Sequence, residues 1–479
     1  MNFSSISFVA LFIVTYGLIL IFNSEHICKK VSEKSQLNCK HAILLLASYV
    51  FYGWWDFRFC FLMLLLSVIA WVCAKNIEKN KNRKLFTAIG VAVPLAVLGF
   101  FKYFNFFIES FADLLGIESV SALNIILPVG ISFYTFQSMS YTIDVLRGKL
   151  KSHSLMDVAL YVSFFPQLVA GPIVKASDFL PQLKSNHKLK LADLSKGGQI
   201  FVIGLFKKLV VADNLSVFVD DVFEKPLAFS SATVILAVVS YSIQIFCDFS
   251  GYSDMAIGVA KCFGYDFKPN FNLPYLAKNM TEFWKRWHIS LSTWLQEYLY
   301  IPLGGNRKGK IRTYINLLIT MVLGGLWHGA NYTFIIWGIL HGLALCVHKL
   351  WLKRRKNNKP TSMGSVFSVL LTYFFVCICW VFFRAESLTI ALDVLKRMVV
   401  WENGILQMYS WAFFAIAVLV IWQIVAFVKS KKAGSNKTED FYPIFDLSKL
   451  SGLIIFITFT LFVLCVAYTN ANPFIYFQF

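Results

Sequence analysis

Thr313-YINLLITMVLGGLWHGANYTFIIWGILHGLALC-Val347 carries no charged residue apart from two histidines, and it is bracketed by Arg312 and Lys349. As one straight helix it would extend about 50 Å, well beyond a hydrocarbon core of roughly 30 Å. It must therefore fold back on itself. The Gly324-GLWHGA-Asn331 segment supplies the turn, because glycine pairs interrupt helices and tolerate the conformations that turns demand. Both basic flanks then lie on the cytoplasmic side, and His328 falls at the apex, in the outer half of the membrane, at the floor of a funnel open to the outside. An ionisable side chain at that depth is expensive and marks a functional site. His341 and His348 lie on the return arm, where structural roles are expected.

Working outward, the whole chain has the same character. Of its 479 residues, 57% are hydrophobic and 15% charged, whereas soluble domains carry about a quarter charged residues. An ordinary soluble protein is excluded. Forty-five Lys and Arg against 26 Asp and Glu give +19, which in so apolar a chain reads as cytoplasmic loops and anionic lipid, with no nucleic acid partner. Uncharged runs long enough to cross a bilayer include Phe59 to Ala74, Leu85 to Phe101, Leu227 to Cys247, Ser365 to Phe383, Gly404 to Val428 and Leu453 to Tyr468. Three more, Ala42 to Trp55, Leu123 to Met139 and Leu155 to Val174, are short or broken by Pro and Gly, as helices lining a cavity are. The expected fold is all-α and multi-pass, roughly 11–13 membrane helices with re-entrant or broken segments around a central funnel or tunnel. With no linker or repeat in evidence, residues 1–479 read as a single integral-membrane domain.

The run Ile6 to Phe22 lacks a basic residue before it and a small-residue cleavage site after it, so it reads as a retained first span. Lys29, Lys30, Lys34 and Lys40 follow it, which puts the N-terminus outside; counting back from the basic Lys353 to Lys359 cluster puts the C-terminus outside as well. Glu109 to Glu118, acidic without a base, suits an outer loop. The ten Cys sit mostly in apolar runs without metal-like spacing, so no metal is expected and the thiols should be buried. No P-loop, HExxH or GxSxG string occurs, which argues against a P-loop pump, a zincin and a serine hydrolase.

Two further clusters carry chemistry. From Thr281 to Tyr300, apolar residues recur at helical spacing while Lys285 and Arg286 interrupt them, the pattern of one amphipathic helix at the cytoplasmic face. His288 lies on a flank of that helix. Lys285 and Arg286, with Arg307 and Lys308 in the next loop, are candidates to attract the phosphates of a coenzyme A thioester, although topology and anionic lipid explain the same charges. Between Gln244 and Asp254, a long apolar span is expected to end at Asp248, with Asp254 near the N-cap of a following helix.

Together these segments resemble the membrane-bound O-acyltransferase family, and within it a bacterial branch similar to alginate O-acetyltransferases. The resemblance is carried by Leu127-PVGISFYTF-Gln137, Phe164-FPQLVAGP-Ile173, Ile245-FCDFSGYSDM-Ala256, Phe283-WKRWHISL-Ser292, Gly325-LWH-Gly329, Phe382-FR-Ala385 and Pro473-FIYFQ-Phe479. It implies that His328 is the active-site histidine and that His288 matches a second catalytic histidine. It implies passage of an acyl group, as acetyl from acetyl-CoA, from a cytoplasmic thioester to an extracytoplasmic hydroxyl. The implied partners are an exported cell-surface polysaccharide and an extracytoplasmic transferase, and the implied location is a bacterial cytoplasmic membrane, with no bound cofactor. Related branches leave D-alanyl transfer toward teichoic acid open, and the broken helices alone would also suit a transporter or flippase.

Overall fold

Long apolar runs closed by capping residues dominate the chain, and in the computed structural model nearly all of them are helices. Residues 1–22, 24, 32–117, 123–185, 188–354, 362–433, 442, 444–468 and 474 are described. Among them there is no β-strand, only an isolated bridge between Phe229 and Ile405. Five helical stretches are long and apolar enough to cross a membrane, namely Arg58–Glu78, Arg83–Leu115, Ser231–Cys262, Tyr332–Leu352 and Met363–Arg384; Ile6–Phe22, Ser410–Val425 and Leu450–Val466 are shorter apolar helices. The protein is therefore an all-α, multi-pass membrane protein, as its composition requires.

The chain divides into two units, Met1–Phe201 with Met255–Phe267, and Val202–Asp254 with Lys268–Phe479. The first holds α1 (Ile6–Phe22), α2 (Glu33–Asp56), α3 (Arg58–Glu78), α4 (Arg83–Leu98), α5 (Phe104–Leu115), α6 (Ile131–Leu146), α7 (Leu155–Ser163), α8 (Ala176–Leu183) and most of α9 (Leu191–Leu205). Pro94 lies inside α4, and a π-helical turn over Gly99–Tyr103 follows the helix. Ser32 and Ser154 start α2 and α7 by accepting the amides of Ser35 and Asp157. The breaks expected around Pro128 and Pro166 are present. Leu123 to Val129 is not helical and α6 begins after Gly130, and α7 stops at Ser163 before a single turn over Phe165–Leu168.

Two expectations are corrected in this unit. The short run Ala42 to Trp55 is the apolar end of a 24-residue helix, α2, whose first turns are polar. Lys40, expected as a loop charge that orients the chain, is buried within α2 and donates to the Phe263 carbonyl at 3.2 Å. Lys29, Lys30 and Glu118, as well as Arg355 to Lys359 and most of the Pro473–Phe479 tail, lie outside the described residues. Among the cysteines, Cys73, Cys247, Cys377 and Cys379 are buried, but Cys465 is exposed.

The second unit holds α10 (Asp213–Glu224), the greater part of α11 (Ser231–Cys262), α12 (Met280–Arg286), α13 (Ile289–Leu295), α14 (Lys310–His328), α15 (Tyr332–Arg354), α16 (Ser362–Arg384), α17 (Leu388–Val399), α18 (Ser410–Ala433) and α19 (Leu450–Val466). Of the most apolar window of α11, 83% is buried, against 17% for Arg83–Leu115, so α11 is a core helix and not a lipid-facing one. It runs unbroken through Asp248 and Asp254. This overturns the expected helix end at Asp248 and the N-cap at Asp254. Both carboxylates are buried and paired: Lys208 lies 2.6 Å from Asp248 and 2.8 Å from Asp213, and Lys207 lies 2.5 Å from Asp254, which also accepts from Tyr442. The lysines come from a π-helical turn, Phe206–Ala212. Gly251 lets that turn approach, since a Cβ there would meet the Gly204 carbonyl at 2.8 Å and the Lys208 backbone nitrogen at 3.1 Å.

Candidate active site

The sequence from Thr313 to Val347 does fold back. α14 ends on His328, Gly329 leaves the helix in an extended conformation, and α15 starts at Tyr332. Asn331 fixes the turn, accepting the Thr333 amide at 3.0 Å and donating to the Glu386 carbonyl at 2.9 Å. The two arms touch backbone to backbone: a Cβ on Gly325 would lie 2.2 Å from the Phe334 carbonyl. Such contact holds the turn rigidly without needing a hydrophobic driving force inside lipid.

His328 is buried at this apex, 3% exposed. Trp327, Trp337 and Phe383 enclose its ring edge-on, at 5.0, 5.2 and 5.1 Å between centroids. Beyond the turn opens a cavity of about 840 Å³, lined by Gly329, Ala330 and Asn331 on one side and by Asp220, Arg384 and Glu386 on another. Arg384 is held 2.6 Å from Asp220. The histidine thus lies one residue behind the wall of a chamber that is large enough for a sugar-sized group and lined by hydrogen-bonding side chains.

His288 reaches the same aromatic cluster from another direction. The single amphipathic helix expected over Thr281 to Tyr300 is broken: α12 stops at Arg286, α13 starts at Ile289, and Gln296–Tyr300 is a π-helical turn. At the break His288 has φ +41°, in the left-handed region that costs a non-glycine residue free energy and that recurs at functional sites. It is buried and not interfacial, packed edge-on against Phe249 at 4.5 Å and lying 6.2 Å from Trp327. Trp327 therefore lies beside both histidines.

Asn270, which sequence reasoning missed, holds the break together. Its carbonyl accepts the Ile289 amide at 2.9 Å, and its side-chain oxygen accepts the Ser290 amide at 3.1 Å and the Ser290 hydroxyl at 2.9 Å. A backbone N–H can only donate, so the atom facing Ser290 is the oxygen, and the orientation of the amide follows. His288 Nδ1 lies 3.2 Å from that same oxygen and must carry the proton. Its Nε2 is then a bare lone pair, with no hydrogen-bond partner among the described residues. His288 lies in a connection outside the spanning helices, and burial lowers its pKa to about 3, so the ring stays neutral.

The other predicted residues are dispersed. Lys285, Arg307 and Lys308 are exposed, while Arg286 is half-buried and bound to Glu282 at 2.7 Å and to the Asn272 carbonyl at 3.2 Å. His348 accepts or donates a bond to Thr281 at 2.8 Å, tying α15 to α12. His341 is fully buried within the aromatic cluster. No group of three His, Cys, Asp or Glu among the described residues is placed to hold a metal.

Comparison with known proteins bears on this arrangement. The sequence profile of the membrane-bound O-acyltransferase family matches residues 9–390. The chain is 41% identical to a protein of Pseudomonas syringae pv. tomato named probable alginate O-acetylase AlgI, across 84% of this chain and 79% of that one. It is 42% identical to the peptidoglycan O-acetyltransferase of Helicobacter pylori, across 74% and 73%. Similarity to the teichoic acid D-alanyltransferase of Bacillus subtilis is lower, 29% across 55% of this chain and 70% of that one.

Proposed function

The chain belongs to the membrane-bound O-acyltransferase family, and from that membership we propose that it is an O-acetyltransferase carrying acetyl from cytoplasmic acetyl-CoA to an extracytoplasmic hydroxyl, with His328 at the reacting centre. That it is an acyltransferase follows from the family. The acetyl group is favoured over D-alanyl because relatives named for O-acetylation are more similar over more of the chain. The acceptor is a cell-surface polysaccharide, reached directly or through an extracytoplasmic partner transferase, and the membrane is the bacterial cytoplasmic one, with both termini outside. The family match crosses both structural units, which favours one catalytic domain over residues 1–479.

The observation that carries the assignment is the position of His328 at the apex of the folded hairpin, next in sequence to Gly329, which lines a cavity. An imidazole there can take the proton of an acceptor hydroxyl entering from the cavity while the oxygen attacks the thioester carbon. As the new ester bond forms the C–S bond breaks, and the thiolate leaves with the proton that His328 received. Alternatively His328 carries the acyl group itself between the two partners. His288, whose ring also lies near Trp327, presents a neutral Nε2 lone pair suited to accept a hydrogen bond and position the donor. Lys285, Arg307 and Lys308 offer exposed charge for coenzyme A phosphates; Arg286 is already engaged by Glu282.

In cells whose own copy is replaced by His328→Ala, surface polysaccharide should lose its acetyl esters while the protein accumulates in the membrane at the wild-type level. Esters retained by that strain would overturn the assignment.

A further inference from the structure

The second buried histidine of the hairpin is set up chemically as the opposite of His288. His341 projects from α15, nine residues or about 14 Å along the helix from Tyr332. Its Nδ1 receives the indole N–H of Trp284 at 3.2 Å. An indole nitrogen can only donate, so Nδ1 must be the bare nitrogen and Nε2 must carry the hydrogen. Trp284 thus locks His341 in one neutral tautomer. The rings around it are Phe283, Trp284, Trp337, Phe375 and Trp380, with no charged side chain among them.

Its Nε2–H has no hydrogen-bond partner among the described residues, and neither has the indole N–H of Trp337. Both side chains are at most 1% exposed. The Trp337 ring packs against both histidines, 4.5 Å from His341 and 5.2 Å from His328. A buried donor left unmatched is costly, and two such donors on neighbouring rings, one of them packed against His328, call for an acceptor supplied from outside the protein.

We propose that His341 Nε2–H and Trp337 Nε1–H hold the carbonyl oxygen of the acyl group during transfer. This rests on His328 being the reacting centre. When the acceptor oxygen bonds to the acyl carbon, the carbonyl oxygen gains negative charge. Two neutral donors fixed among aromatic rings stabilise that charge without reorganisation. The electron pair then returns from that oxygen to re-form the carbonyl as the C–S bond breaks, and the leaving thiolate takes the proton that His328 removed from the acceptor. His341 donates a hydrogen bond throughout and exchanges no proton, which distinguishes its role from that of His328.

The test uses the full-length chain in native membranes, where acceptor machinery is present, with labelled acetyl-CoA and ester-linked label as readout. His341→Phe keeps an aromatic ring and removes the donor; it should lower kcat about 10²–10³-fold with KM within about threefold of wild type. His341→Gln retains an amide N–H and should recover at least a tenth of wild-type kcat. Trp337→Phe should behave as His341→Phe does. A wild-type kcat in His341→Phe would overturn the proposal, as would equal losses in the Phe and Gln variants, because packing alone would then explain the residue. His328→Ala, run alongside, separates the two claims: turnover in that variant refutes the assignment of the centre, whereas its absence together with a fully active His341→Phe refutes only the carbonyl donors.

Discussion

Replacing Asn270 by Ala should disable the protein more severely than any contact with substrate would suggest. His288 occupies the N-cap of α13 but has φ +41°, so its side chain does not cap the helix. Asn270 caps it from elsewhere in the chain, and its side-chain oxygen alone accepts from the Ser290 amide, the Ser290 hydroxyl and His288 Nδ1, while its nitrogen donates to Ser253. At about 1 kcal/mol net for each of the three accepted bonds, the loss comes to about 3 kcal/mol. Ser290→Ala keeps the amide bond to Asn270 and loses the contacts of the hydroxyl with Asn270 and His288, and should cost about 1 kcal/mol. Unfolding of the purified variants in detergent, followed by tryptophan fluorescence, gives the ranking. Acyl transfer should fall at least tenfold in Asn270→Ala even below its melting temperature, because the His288 ring is no longer oriented. An Asn270→Ala protein with wild-type stability and transfer would refute the proposed clamp, and so would a Ser290→Ala variant that is equally damaged.

Two other outcomes are expected. Lys208→Met leaves Asp213 and Asp248 buried beside each other without their cation, and should destabilise the fold by about 3–5 kcal/mol, read as poor recovery from detergent and a lowered melting temperature. The pH dependence of stability carries the signature of His288. Its folded pKa, about 3, lies below the ordinary imidazole value of about 6.5, so the unfolded chain binds the extra proton first. Stability from this group is complete above about pH 6.5 and is lost as pH falls toward 3; His288→Gln should flatten the melting-temperature profile across that window.

How much of this was visible in the amino-acid order depends on the range of the interactions concerned. The hairpin was legible because a charge-free run too long for one crossing had a single glycine-rich turn, and both facts are local. The interruptions at Pro128 and Pro166 were legible for the same reason. The continuity of α11 was not, since two acids within a helix look like a helix end until Lys207 and Lys208 arrive from a π-helical turn some 40 residues earlier to neutralise them. The break at Trp287 and His288 contains neither Gly nor Pro and is sustained by Asn270, so its helical periodicity continued across it and concealed both the burial and the strain. His341 had the pattern of a packing histidine, and only the Trp284 contact shows which nitrogen carries its hydrogen.

The proposal that an acetyl group crosses the membrane through His328 meets its most direct test in liposomes containing the purified chain, with labelled acetyl-CoA sealed inside and a hydroxyl acceptor, or extracts of the native cell envelope, outside. Wild-type protein should release coenzyme A thiol inside and place label on the outer acceptor in matching amounts, and His328→Ala should do neither. Label appearing outside without thiol release, or equal transfer by the variant, would contradict it.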